Sequence, residues 1–99
     1  MAKLTQGELD QALRDLPGWS VKNGMIVRTY RHDSFPEAIV FVSAVAQLAE
    51  QMNHHPDVDI RYSDVTLALV THDQGGITRK DVSLAARIEG IRKKAEAHA

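Results

Sequence analysis

The chain has 99 residues, 43% of them hydrophobic and 25% charged, with a formal net charge of −1. This balance predicts one globular domain over residues 1–99, and the small charge argues against nucleic acid or an anionic membrane as a partner. The absence of cysteine excludes disulfides and thiolate sites. With no secretory pattern and no apolar run of the roughly 20 residues that a membrane span needs, we expect a soluble cytoplasmic protein.

The first third of the sequence predicts a helix followed by a hairpin. Thr5 and Glu8 have the spacing of a capping box, and the helix that they begin should end at residues 17–18. Asn23 and Gly24 are typical of a type I′ turn, because both residues tolerate a positive φ angle. The flanking strands are expected at residues 19–21 and 25–31.

A second, longer helix should begin after Ser34, which forms another capping box with Glu37, and should run to about Met52. Its apolar residues cover more than one narrow stripe of the helix surface. We therefore expect one side of the helix to cover the sheet and another to contact a partner, most simply a second subunit. These apolar residues are Phe35, Ile39, Phe41, Val42, Val45, Leu48, Ala49 and Met52.

The second half predicts another hairpin and a last helix. Pro56 disfavours helical geometry at the residue before it, so a loop follows the long helix. Residues 57–63 alternate between apolar and polar side chains, which predicts a strand with Val58, Ile60 and Tyr62 facing inward. The remaining elements are expected as a turn at residues 63–64, a strand at 65–72, a loop at 73–76 and a helix beginning near 78–81.

The predicted order is therefore α-β-β-α-β-β-α. Two hairpins separated by a long helix indicate an α+β fold, in which helices pack on one face of a four-stranded antiparallel sheet. The ends of neighbouring elements can converge in such a fold. His54 and His55 follow the long helix, His72 ends the fourth predicted strand, and Glu50 and Asp81 lie nearby in sequence. Histidine suits proton transfer near neutral pH, because its unperturbed pKa is about 6.5.

These residues also have structural explanations. Asp81 fits a helix-capping role, Glu50 an ordinary pairing at the end of a helix, and His72 a half-buried strand position. Their joint occurrence favours the functional interpretation. The other histidines, His32 and His98, do not belong to such a group of residues and are expected to be solvated.

A metal site is the competing interpretation of the same residues. Glu50, His54 and His72 have the ligand types of a two-histidine, one-carboxylate triad. However, neighbouring histidines in an extended loop point in opposite directions, and no HExxH pair is present. We therefore predict a site without a metal and without a cofactor.

A larger spaced set of residues surrounds the histidines. It has a carboxylate, then His-His-Pro, an aromatic residue six positions later, a histidine ten positions after that, and a following aspartate. This set closely resembles the signature of the pterin-4a-carbinolamine dehydratase family. The residues that carry the resemblance are Glu50, Gln51, Met52, Asn53, His54, His55, Pro56, Tyr62, Thr71, His72, Asp73, Gly75, Gly76, Thr78 and Asp81.

The resemblance implies a hydro-lyase that converts 4a-hydroxytetrahydrobiopterin, or a related 4a-hydroxytetrahydropterin, to quinonoid dihydropterin and water in tetrahydrobiopterin recycling. Such a reaction needs an acid for the departing hydroxyl and a base for the N5 proton, but no metal or redox cofactor. By position, His54, His55 and His72 correspond to the catalytic histidines, and Asp81 to the acid that orients one of them. Which histidine is acid and which is base stays open, as does the pterin side chain.

The resemblance also implies substrate contacts and partners. Family members form dimers or tetramers, so a homodimer or homotetramer is expected beside the pterin substrate. The alternative is a non-catalytic protein-binding module of the transcription-factor dimerisation cofactor type, but such a module has no need of the histidine set. The expected substrate contacts are Glu50, Asn53, His54, His55, Pro56, Val70, Thr71, His72 and Asp73.

Overall fold

The structure is a computed structural model that describes residues 2–97, and the side chains of residues 2–92. Within these residues the chain forms three α-helices and four strands in the predicted order. The elements are α1 (Gln6–Arg14), β1 (Ser20–Lys22), β2 (Met25–Arg31), α2 (Phe35–Met52), β3 (Asp57–Arg61), β4 (Asp64–Leu69), a 3-10 turn (His72–Gln74) and α3 (Arg79–Ala97).

The strands form one antiparallel sheet in the order β1-β2-β4-β3, so β2 and β4 lie in its middle. Along β4, Val65, Leu67 and Leu69 are buried, whereas the residues between them are half-buried. This alternation is that of a sheet covered on one face. On the open face the hydroxyls of Thr29 and Thr66 are 2.8 Å apart. The predicted α+β fold, with helices on one face of the sheet, is confirmed.

The hydrophobic core lies between the covered face of the sheet and the three helices. Full burial of one large apolar side chain contributes about 1.5–3 kcal/mol, so this core is the main favourable term in folding. Its buried members are Leu9, Leu16, Trp19, Ile26, Tyr30, Ala38, Phe41, Val45, Val65, Leu67, Leu69, Ile77, Leu84, Ala85 and Ile88.

The local signals in the first half of the sequence act as predicted, with two differences: α1 ends at Arg14 rather than at residues 17–18, and the second capping box is incomplete. Thr5 and Glu8 form both hydrogen bonds of the capping box. Asn23 and Gly24 have φ angles of 54° and 76°, as a type I′ turn requires. At the second box the Ser34 hydroxyl accepts the N–H of residue 37, but the carboxylate of that residue accepts the N–H of residue 33 instead.

The inward position predicted for Tyr62 is wrong. β3 ends at Arg61, which pairs with Asp64, so the turn consists of residues 62–63 rather than 63–64. Tyr62 adopts a φ angle of 56° in this turn, and its side chain is 88% exposed. Val58 pairs with Leu67 on the covered face, yet it is partly exposed because β3 is an edge strand.

The fourth strand is also shorter than predicted. β4 ends at Leu69, and His72 lies in the following 3-10 turn. The turn forms because Thr71 pairs with Gly76, which closes a tight loop, and Gly75 takes the left-handed conformation at its end. Residues that favour strands continue through residue 71. The strand therefore ends because the loop closes, and not because the composition changes.

His32 is not solvated as predicted. Its Nδ1 lies 3.2 Å from Nη1 of Arg92, and its ring centre lies 4.9 Å from that of Phe41. Burial, together with the positive charge of Arg92, lowers the pKa of His32 below its ordinary value. The other histidine expected to be solvated, His98, lies outside the described residues.

A polar cluster that the sequence did not predict fixes α3 to β2. Oε1 of Glu89 accepts hydrogen bonds from Nε1 of Trp19 at 3.2 Å, from Arg28 and from the Tyr30 hydroxyl. Burial and the neighbouring Glu89 carboxylate raise the pKa of Tyr30 above its ordinary value. Because every donor of this cluster converges on one carboxylate oxygen, the cluster sets how α3 lies against the sheet.

α2 carries apolar side chains that the chain itself leaves uncovered. Phe35, Ile39 and Val40 are 55%, 38% and 70% exposed. Phe35, Ile39, Val42 and Ala46 follow the spacing of one helix side, and we call these four residues the α2 stripe. The other side of α2 packs into the core, so the helix has the two apolar surfaces that its sequence predicts.

Candidate active site

The end of α2 sets the direction in which the two adjacent histidines leave the helix. Asn53 is left-handed (φ 48°, ψ 45°). Its N–H donates to the carbonyl of Glu50 at 3.2 Å, and the N–H of His54 donates to the carbonyl of Ala49 at 3.0 Å. These two bonds form a Schellman motif, which reverses the chain. As a result His54 turns back into the fold and is buried, while His55 stays exposed.

His54 and Asp81 form a buried pair. Nε2 of His54 lies 2.5 Å from Oδ1 of Asp81. Asp81 is 0% exposed and His54 is 8% exposed. A hydrogen bond between an imidazole and a carboxylate is strong in such a place, because water does not compete for either group. Asp81 therefore orients His54, which is the buried one of the three predicted site histidines.

The second oxygen of Asp81 is held by the start of α3. Oδ2 accepts the backbone N–H of Thr78 at 2.8 Å and the hydroxyl of Thr71 at 2.9 Å. The two threonine hydroxyls are 2.8 Å apart, and both residues are buried. Since α3 begins at Arg79, the negative charge of Asp81 lies in the first turn, where the helix dipole stabilises it. The capping contact of Asp81 and its contact with His54 thus coexist.

Asp81 also joins the two segments that carry the other histidines. One of its oxygens contacts His54, which directly precedes His55. The other contacts Thr71, which directly precedes His72. Because adjacent Cα atoms are only about 3.8 Å apart, the backbone of His55 and of His72 lies one residue away from a side chain that contacts Asp81.

An open groove of about 230 Å³ lies between α2 and β3 beside His55. Its walls are mostly apolar, and Glu50 and His55 bring the polar groups. Nε2 of His55 lies 3.4 Å from Oε2 of Glu50. Both side chains are more than half exposed, so the attraction between these two groups is weak. The groove is lined by Val42, Val45, Ala46, Ala49, Glu50, His55, Pro56 and Val58.

The remaining predicted substrate contacts fall on two loops. His72 and Asp73 lie in the 3-10 turn with exposed side chains, and Val70 is half-buried just before it. Thr71 is buried, and its hydroxyl is engaged by Asp81 and a second threonine. Asn53 is exposed, and its left-handed backbone already explains its presence at the end of α2.

Thr78 is the residue of this site that the sequence did not assign a role. It was recognised as the start of a helix, and its spacing from Asp81 is that of a capping pair. What the spacing does not reveal is that the Thr78 hydroxyl meets Thr71, because that contact depends on how the 3-10 turn folds back.

The arrangement suits proton transfer. The segments that bear two exposed imidazoles are both held by the carboxylate that fixes the buried imidazole, and histidine exchanges protons near neutral pH. Within the described residues, no group of three or more histidine and acidic side chains is arranged to hold a metal ion. No helix in the described part of the chain has both the length and the hydropathy needed to cross a membrane.

Comparison with known sequences gives a consistent result. The profile of the family described as Pterin 4 alpha carbinolamine dehydratase matches residues 2–91. A Chloroflexus aurantiacus protein provisionally named pterin-4-alpha-carbinolamine dehydratase is 54% identical over 92% of this chain and 98% of its own length. A Mycobacterium avium protein with the same provisional name is 50% identical over 92% of this chain and 97% of its own length.

Two solved structures share the fold. A crystal structure of a transcriptional coactivator/pterin dehydratase from Brucella melitensis has a TM-score of 0.86 and 33% identity, and covers 90% of this chain and 97% of its own. A pterin dehydratase-like protein, identified as a RuBisCO assembly factor in the alpha-carboxysome, has a TM-score of 0.59 over 73% of this chain and 83% of its own. At 22% identity the second likeness concerns the fold alone.

Proposed function

Since the chain belongs to the pterin-4-alpha-carbinolamine dehydratase family, we propose that it dehydrates 4a-hydroxytetrahydrobiopterin or a related 4a-hydroxytetrahydropterin. The products are quinonoid dihydropterin and water, and the reaction serves tetrahydrobiopterin recycling. One observation carries the proposal. The buried pair of His54 and Asp81 anchors the two segments on which His55 and His72 are exposed.

The reaction requires two proton transfers and no change of oxidation state. The C4a–O bond breaks as the hydroxyl gains a proton from a general acid and leaves as water. The N5 lone pair forms the C4a=N5 bond, and a general base accepts the N5 proton. We assign these two transfers to His54, His55 and His72, because histidine serves as acid or base near neutral pH. Asp81 orients His54 through their hydrogen bond.

We place the pterin across the exposed histidines, with the apolar groove at one end. The flat ring has faces that pack on apolar walls such as Pro56, while its amide edge needs hydrogen-bond partners. Backbone groups of the loops that carry the histidines can supply these partners. The proposed contacts are Glu50, Asn53, His54, His55, Pro56, Val70, Thr71, His72 and Asp73.

The first test measures dehydration of enzymatically generated 4a-hydroxytetrahydropterin, with and without a strong chelator. We expect activity that the chelator does not change, since the proposed chemistry uses histidines alone. His55→Ala and His72→Ala should each slow the reaction by roughly 100-fold, the order expected for loss of a general acid or base. Both residues are exposed, so circular dichroism should show that the fold is kept.

Two results would contradict this assignment. A wild-type rate in folded His55→Ala or His72→Ala removes that histidine from the mechanism. Loss of activity with the chelator instead favours a site in which Glu50, His54 and His72 bind a metal. Addition of Zn²⁺ or Mn²⁺ after dialysis would then restore the rate.

A protein-binding module is the second candidate function. The α2 stripe exposes large apolar side chains, as interaction surfaces do, and the Brucella melitensis relative is described as a coactivator as well as a dehydratase. A folded sample without dehydratase activity would favour this candidate.

We further propose that the chain forms a homodimer or homotetramer in the cytoplasm. A chain of this size buries only about two-thirds of its unfolded surface, and burial of the α2 stripe between subunits would add to the core. A cysteine-free sequence suits the reducing cytoplasm.

A further inference from the structure

The hydrogen bonds around Asp81 leave one consistent assignment of their protons. From it we infer that Thr71 and Thr78 are positioning residues that fix His54 as the Nε2–H tautomer, so that Nδ1 is the atom with which His54 accepts a proton. The catalytic consequence rests on the proposed dehydratase function, whereas the tautomer itself does not.

The assignment begins at Thr71, whose hydroxyl has a single proton. That proton is donated to Oδ2 of Asp81 at 2.9 Å. In the contact of 2.8 Å between the two hydroxyls, the donor must therefore be Thr78 and the acceptor Thr71. Thr78 in turn accepts the backbone N–H of Lys80 at 3.2 Å.

The result is a directional chain of hydrogen bonds that starts at the first turn of α3 and ends on Asp81. It runs from the Lys80 N–H through the hydroxyls of Thr78 and Thr71 to Oδ2. All its donors point the same way, so each bond polarises the next. The positive end of the α3 dipole acts in the same direction and stabilises the carboxylate.

Asp81 is then an acceptor at both oxygens. Oδ2 receives the Thr71 hydroxyl and the Thr78 N–H, and these donors stabilise the ionised carboxylate. An ionised carboxylate only accepts, so Nε2 of His54, 2.5 Å from Oδ1, carries a proton. A neutral imidazole has one N–H, which leaves Nδ1 with a free lone pair.

Nδ1 of His54 is also reachable from outside. Among the described residues, Nε2 of His32 is a side-chain nitrogen that is buried without a hydrogen-bond partner, whereas Nδ1 of His54 is not such an atom. No hydrogen bond engages Nδ1 within the described residues, so it must border solvent. The N5 proton of the substrate would pass to Nδ1, and the imidazolium formed would keep its Nε2–H bond to Asp81.

Nitrogen-15 NMR of the imidazoles tests the inference directly, since it distinguishes the two neutral tautomers. We would record wild type, Thr71→Val and Thr71→Ser at alkaline pH, where imidazoles are neutral, and assign His54 with His54→Gln. Thr66→Val is the matched control. It also breaks a threonine–threonine contact of 2.8 Å, but on the open face of the sheet.

We expect His54 of wild type to show the Nε2–H tautomer. Thr71→Val removes one of the two hydrogen bonds that hold Oδ2 of Asp81, so the carboxylate no longer faces Nε2 of His54 in one fixed orientation. The variant should therefore mix the two tautomers and lower kcat by roughly 10-fold. KM should change little, because the proposed substrate contact of Thr71 is assigned to its backbone. Thr71→Ser should restore both readouts, and Thr66→Val should leave both unchanged.

Three outcomes would overturn the inference: a proton on Nδ1 in wild type, an unchanged tautomer in folded Thr71→Val, or a Thr71→Ser variant that behaves like the valine variant. If Thr71→Val does not fold, the wild-type and serine spectra decide. A wild-type chain that shows the Nε2–H tautomer but dehydrates no pterin would support the tautomer and overturn the dehydratase proposal instead.

Discussion

The His32 ring contacts both Phe41 and the guanidinium of Arg92, and its Nε2 is buried without a partner among the described residues. Burial is the main cause that lowers its pKa, and the positive Arg92 adds to it. The neighbouring acids act in the opposite direction but do not reverse the shift; they are Glu37, Asp33 and Asp64. Protonation of His32 is therefore less favourable in the folded chain than in the unfolded chain.

This difference predicts a pH dependence of stability. Because the folded pKa lies below the ordinary 6.5, the unfolded state binds more protons as the pH falls below that value. The contribution of His32 is thus fully present above pH 6.5 and is lost on acidification from there to the lowered folded pKa. His32→Phe keeps the contact with Phe41 but does not titrate. Urea unfolding at pH 7.5 and pH 5 should therefore show a smaller loss of free energy of unfolding for this variant than for wild type.

His72→Phe is the control for this measurement, since residue 72 is exposed in the 3-10 turn. We expect its pH dependence to match that of wild type. An equal loss of stability in wild type and His32→Phe would mean that His32 titrates alike in the folded and unfolded chain.

Single residues were predictable where their contacts are local. The Thr5–Glu8 box and the Asn23–Gly24 turn depend on neighbours in sequence, and both form. The contacts of Glu89 join residues that are 59 to 70 positions apart. No local pattern marks such a partner, so this cluster, like the contact of His32 with Arg92, emerges only when α3 packs on β2.

At the scale of elements, the Schellman motif at the end of α2 connects secondary structure to the site. Only a residue that tolerates a positive φ fits at position 53, and the reversal that it makes buries His54 and exposes His55. The sequence predicted the helix end from Pro56, but not the direction of the chain after it. That direction depends on two backbone hydrogen bonds that the residue types alone do not specify.

Two substitutions at Asn53 separate its backbone role from a role in substrate binding. Asn53→Val should lower the free energy of unfolding by about 1–2 kcal/mol, because a β-branched residue is strained at a φ of 48°. Asn53→Gly adopts this conformation without strain, so its stability in urea unfolding should stay near that of wild type.

The glycine variant also tests the proposed substrate contact of Asn53. A raised KM with normal stability would support a contact made by the amide side chain. Unchanged kinetics would mean that Asn53 acts only through its left-handed backbone at the end of α2. A large loss of stability in Asn53→Gly would contradict that backbone role.

At the scale of the whole molecule, the apolar surfaces of α2 and β3 are continuous. Val42 and Ala46 belong to the α2 stripe and also line the groove, and Val58 of the edge strand lines it as well. The sequence predicted two apolar sides of α2 from composition, but the groove requires β3 to be the edge strand. That position follows from the strand order β1-β2-β4-β3, which neighbouring residues do not determine.

The proposed association can be tested on this surface. Ile39 lies in the α2 stripe and is 38% exposed, and burial of apolar surface contributes about 25 cal/mol per Å². Ile39→Glu places a charge where a partner subunit would exclude water, which is strongly unfavourable for association. Sedimentation equilibrium should therefore give the mass of a single chain for Ile39→Glu and a multiple of it for wild type.

Ala86→Glu, at an exposed position of α3, is the matched control and should keep the wild-type mass. A wild-type chain that sediments as a monomer would contradict the oligomer, and an unchanged mass in Ile39→Glu would place the subunit contact away from the stripe.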